Sequence, residues 1–184
     1  MSVNLRNYVK ALYGFDHVIR LTRPVALTKK SPCAGWKGTD VVAHALGGVK
    51  ATTSAATVKK MPTTYPKVGA DPAAQYAKLR DQAIEALDHP GVLDSVAETF
   101  FGPMPVDAFL GVMGADLIVH AWDLARTAKV DDRLDPALCK AALATWKAMP
   151  ESMLRSPNVF GPALKPPAGA DVQAKLLAFL GRAT

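Results

Sequence analysis

Residues Ala115 to Ala128 read ADLIVHAWDLARTA, with no proline or glycine to interrupt a helix. At about 100° per residue, Asp116 and His120 stand about 40° apart on one helix face, and Asp123 returns to the same stripe. One and two turns earlier that stripe carries Met113 and Phe109, so it points inward. Carboxylate, imidazole and carboxylate on an inward face are costly to bury unless they are paired, hydrogen-bonded or bound to a cation. The pattern predicts a long core helix from about Val106 to Lys129, and it asks for a cation and a third ligand.

The third ligand is sought on another helix. Thr39 is a good N-cap, Asp40 favours the dipole of the turn that follows, and a helix is expected from there to about Val58. It carries His44, 76 residues before His120, on a face with Val41, Gly47, Gly48, Ala51 and Ala55. Small residues beside an imidazole fit either a close helix–helix approach or an open space. Facing helices of a bundle are a common place for metal ligands, and two imidazoles with one carboxylate suit zinc, nickel or iron with positions left open. His44, Asp116 and His120 are therefore the candidate metal ligands. Asp123 is the candidate supporting residue, either orienting an imidazole N–H or pairing with Arg126 or Arg6.

The remaining elements read as helices. Leu5, Tyr8, Val9, Leu12, Phe15 and Ile19 recur at helical spacing over residues 4–24, with Asn4 as a cap and Pro24 near the end. Residues 31–38 are a turn-rich connector and 59–71 a loop. Asp71-Pro72 opens a helix to about Asp88, which His89-Pro90-Gly91 ends. Val96 to Met104 has mixed periodicity and reads as a short extended segment. Asp135-Pro136 starts a helix to about Met149, residues 150–171 read as loop, and Asp171 caps a last short helix to Leu180. The fold class is all-α, a four-helix bundle with additional short C-terminal helices.

At 184 residues, 49% hydrophobic and 21% charged, the chain suits one domain with a well-buried core, about 4–130 plus a helical extension over about 131–184. The first residues lack the apolar centre of a secretory signal, and no apolar run is read as reaching the ~20 residues of a bilayer span, so a cytoplasmic protein without a membrane partner is expected. Two cysteines, Cys33 and Cys139, fit a reducing compartment, and Cys33 reads as a small buried residue lacking a nearby base. The net charge of +6 is uneven: residues 1–70 hold 11 Lys/Arg against Asp16 and Asp40, while 71–184 hold 11 against 14 acidic residues. The basic half could steer an anionic substrate, but scattered charges with few aromatics give base stacking little support, and no nucleic-acid partner is expected. Trp36 and Trp122 read as packing residues, and His17 and His89 as histidines outside the site.

Three ordered motifs carry a family resemblance. Ser31-Pro32-Cys33-Ala34-Gly35-Trp36, continuing through Asp40-Val41-Val42-Ala43-His44 to Gly47-Gly48, resembles the first signature of the DinB-like, mycothiol-dependent maleylpyruvate isomerase metal-binding family. Asp116 to Ala125 resembles its second signature, and Val159 to Ala163 with Leu176 to Arg182 resembles the ending of its actinobacterial members. The resemblance implies a four-helix bundle whose divalent metal binds and activates a low-molecular-weight thiol, mycothiol, for attack on a small electrophile. His44 and His120 match the family's first and last histidines. Asp116 replaces the glutamate of isomerase-like members, and its carboxylate reaches about 1.5 Å less far. The implied activity is a thiol-dependent transferase or isomerase. The alternatives are a non-catalytic, stress-related binding protein with a degenerate site, or a metal-dependent hydrolase. Relatives that pair through helix faces leave a homodimer open.

Overall fold

In a computed structural model, which describes residues 1–155 and 159–183, the ADLIVHAWDLARTA stretch lies in the longest helix. The helices are α1 (Val3–Leu21), α2 (Gly38–Thr57), α3 (Pro72–Leu87), α4 (Val106–Ala128), α5 (Pro136–Ala148), α6 (Glu151–Leu154) and α7 (Val172–Phe179). A two-stranded antiparallel hairpin, β1 (Val96–Thr99) and β2 (Gly102–Pro105), precedes α4. Helix α1 packs on α3 and α4, and α2 packs on the same two, which closes a four-helix bundle. Its core includes Leu12, Phe15, Leu46, Tyr76, Phe109 and Leu124. The opposite side of α4 presents Val119 and Trp122 to a second core with Cys139 and Trp146 of α5 and Leu176 and Leu177 of α7.

With core on both sides, α4 is apolar around most of its circumference. By length and composition it could cross a membrane, but 83% of its most apolar window is buried inside the protein, as suits a central core helix.

Several local expectations change. Ser2, not Asn4, caps α1, its hydroxyl accepting from the Leu5 N–H, while Asn4 donates to Asp107 at the start of α4. Helix α1 stops at Leu21 because Pro24 disfavours helical backbone before it, and a 3₁₀ turn follows over Pro24–Thr28. Thr39 does not cap α2: its hydroxyl donates to Leu27 O, and the Asp40 carboxylate accepts the Lys37 N–H at 2.8 Å. The extended segment becomes a hairpin whose turn is Phe100-Phe101, with Gly102 at φ +91°. The loop predicted over 150–171 contains the single turn α6.

The end of α7 is built to return the chain. Gly181 has φ +77°, a conformation that favours glycine, and an added Cβ would stand 2.9 Å from Pro162 O. The Arg182 N–H closes the turn on Leu177 O, which leaves the Arg182 side chain directed into the protein.

Candidate metal centre

Helix α2 supplies His44 and α4 supplies Asp116 and His120, and the three meet between the two helices. One donor atom from each residue lies within 4.8 Å of the others. Asp116 bridges the pair: Oδ2 is 2.9 Å from His44 Nε2, and Oδ1 is 3.5 Å from His120 Nε2. The shorter aspartate therefore reaches both imidazoles. Side-chain exposure falls from 41% at His44 to 20% at Asp116 and 5% at His120, so the cluster runs from a cavity mouth into the core.

Behind His120, Nδ1 is 3.1 Å from Asp123 Oδ2, which turns Nε2 toward Asp116. Asp123 in turn accepts from Arg182, at 2.9 Å from Nη2 and 3.3 Å from Nε. Its partner is thus neither Arg126, which pairs with Asp132, nor Arg6. In front, the Trp36 ring stacks on His120 with centroids 5.4 Å apart and planes 13° apart, and lies 5.2 Å from the His44 ring. Trp36 packs against both imidazoles of the site and also lines a cavity beside them.

The electrostatics follow from this contact order. Burial opposes ionisation of Asp116, yet the His44 and His120 imidazoles outweigh it and hold the carboxyl well below the usual carboxylate range. Burial likewise opposes protonation of His120, but Asp116 and then Asp123 raise its pKa to about 9. For Asp123 the same burial cost is offset by His120 and Arg182, and its pKa is lowered. Cys33 sits nearby, half-buried, its thiol raised to about 11 by desolvation despite Arg182.

Two adjoining cavities, about 400 and about 440 Å³, open on either side of His44 and Asp116. Phe100, Phe101 and Trp146 line both. The hairpin turn thus forms a wall of the site, a role its mixed periodicity did not disclose. Gly47 and Gly48 floor the first cavity: an added Cβ would meet Tyr65 and Met113, each at 3.0 Å. His17 lines a different cavity, against α1 and residues 131–135, and His89 lies in the turn after α3.

A tetrahedral zinc with bonds of about 2.0–2.1 Å places neighbouring donors ~3.3 Å apart. Asp116 stands 2.9 Å from one imidazole through Oδ2 and 3.5 Å from the other through Oδ1, and donors from all three residues lie within 4.8 Å of one another, a spacing that could hold an ion.

Residues 14–125, more than half of the chain, match the model of the mycothiol maleylpyruvate isomerase N-terminal domain family. The chain belongs to this family. Its relatives include uncharacterized proteins MT0763 and Rv0738 of Mycobacterium tuberculosis strains CDC 1551 / Oshkosh and H37Rv. Each is 29% identical over 97% of both chains. Among solved structures, it resembles a point mutant of the mycothiol-dependent maleylpyruvate isomerase with a TM-score of 0.52 at 13% identity. That match covers 75% of this chain and 65% of the isomerase chain, and it establishes the DinB-like helical fold.

Proposed function

We propose that this chain binds a divalent metal, zinc first and nickel or iron next, and works as a mycothiol-dependent transferase or isomerase on a small electrophile. The observation that carries the reading is the single carboxylate, Asp116, held between the Nε2 atoms of two histidines from different helices. His44, Asp116 and His120 would hold the ion, which when bound lowers the pKa of a coordinated thiol so that it ionises near neutral pH. The side chains do the rest. Asp123 fixes which His120 nitrogen faces the site, Arg182 fixes Asp123, and Trp36 restrains both imidazole rings. Phe100, Phe101 and Trp146 give the cavity beside the site aromatic walls, which favour an apolar substrate over water there. Desolvation raises the Cys33 thiol to about 11, which disfavours its thiolate at neutral pH. Because Arg182 reaches back to α4, we take residues 1–184 as one working unit, and a reducing cytoplasm as its place of action.

One observation favours a second reading. Asp116 is already satisfied by both imidazoles, as it would be in a metal-free binding protein. Elemental analysis decides between them. One equivalent of metal, lost in His44→Ala and in His120→Ala, supports the metal centre, and a folded protein that takes up no zinc, nickel or iron overturns it. Mycothiol consumption with a model electrophile then identifies a transferase, whereas turnover without thiol identifies a hydrolase.

A further inference from the structure

We infer that the electrophile is uncharged and apolar, carrying an aromatic ring, and that it occupies the cavity floored by Gly47 and Gly48. This deepens the proposed function and rests on it for the reaction, but the evidence is the lining. Around that cavity of about 400 Å³ stand Tyr65, Phe100, Phe101, Val112, Met113 and Trp146. Among the described residues its ionisable lining is His44, Asp116 and the Tyr65 phenol, with no Lys or Arg. None of the 11 basic residues of the N-terminal 70 lines either cavity, so the surface charge there does not extend into the site.

The adjoining cavity has one guanidinium, Arg182, and it is committed. Its Nε and Nη2 donate to Asp123 and its Nη1 donates to Leu180 O. A dianionic substrate would have to leave water without a free cationic partner and beside the Asp116 carboxylate, an arrangement with a large desolvation cost. A divalent ion would not reverse this, because Asp116 and one thiolate already balance it. An uncharged ring loses little by desolvation and gains contact with the aromatic walls. The glycines let Tyr65 and Met113 close against the helix, since an added Cβ at 47 or 48 would stand 3.0 Å from one or the other, and a larger side chain at 48 would intrude on the cavity wall.

The test is calorimetric titration of the whole protein saturated with mycothiol, with p-nitrotoluene as an unreactive neutral ring and with maleate as the dianion. The neutral ring should bind at least about tenfold tighter, and its affinity should not fall between ~50 and ~500 mM salt. Gly48→Leu should weaken it about tenfold or more with the melting temperature retained. If Gly48→Leu does not fold, Ala43→Leu, on the same wall, should do the same. Equal or tighter maleate binding, or neutral binding indifferent to both substitutions, overturns the inference. The two ideas fail separately. Neutral binding without any thiol turnover removes the transferase reading and leaves the apolar cavity. Thiol turnover confined to dianionic electrophiles removes the apolar cavity and leaves the transferase.

Discussion

Arg182 Nη2 lies 2.9 Å from Asp123 Oδ2, a buried ion pair that joins residues 59 apart and sits directly behind the imidazole of His120. Both side chains are at most 5% exposed. Arg182→Met would therefore leave a buried carboxylate facing only His120. We expect a loss of about 3–5 kcal/mol in urea denaturation. Adding Asp123→Asn should recover at least ~1 kcal/mol of it, because the uncompensated charge is gone. Strictly additive losses in that double-mutant cycle would show that the pair is not coupled.

Asp123→Asn alone addresses the site. It keeps the shape but loses the charge that orients His120. Metal affinity, measured by competition with a chromogenic chelator, should fall about 10–100-fold while the stoichiometry at saturation stays at one. An unchanged affinity would mean that His120 needs no support from Asp123.

The pH dependence of the metal-free protein has a definite sign. The His120 pKa is raised to about 9 from 6.5, so the folded state binds the extra proton. Its contribution is complete below pH 6.5 and is lost as the pH climbs toward about 9, a fall of up to about 3 kcal/mol. Urea midpoints measured with EDTA should decline across that window, and His120→Gln should flatten the decline. Asp116 acts oppositely: its carboxyl is depressed, so its share is present above pH 3.8 and disappears only in strong acid.

Two glycines of α2 should respond differently to alanine. At Gly38 an added Cβ meets backbone, Leu27 Cα at 2.9 Å and Ala26 O at 3.1 Å, so Gly38→Ala should lower the melting temperature. At Gly48 the obstacle is the flexible end of Met113, and removing a helical glycine contributes up to about 1 kcal/mol, so Gly48→Ala should melt no lower than the parent. Equal losses at both positions would remove the distinction.

The helices were legible because their caps and apolar periods agree. Asp71-Pro72, Asp135-Pro136 and Asp171 mark three helix starts within a residue of where they occur. The meeting of His44 with Asp116 and His120 was also readable, from helical spacing and the two motifs. What could not be read was long-range closure. Phe100 and Phe101 enter the site only because Thr99 and Gly102 pair across a tight turn, and proline-rich β2 disguised the second strand. Arg182 stood within the third motif, but its target depends on the left-handed turn at Gly181, which no local period encodes. The cap at Thr39 was misread because a tertiary carbonyl, Leu27 O, competes for its hydroxyl.

The stack of Trp36 on His120 gives the protein a built-in optical gauge. An indole whose ring centroid lies 5.4 Å from that of a candidate ligand would lose its emission to a paramagnetic or redox-active ion held there and keep it beside closed-shell zinc. Loading with nickel should therefore darken part of the intrinsic fluorescence, and loading with zinc should leave it bright, so uptake of a quenching ion can be told from uptake of zinc in unlabelled protein.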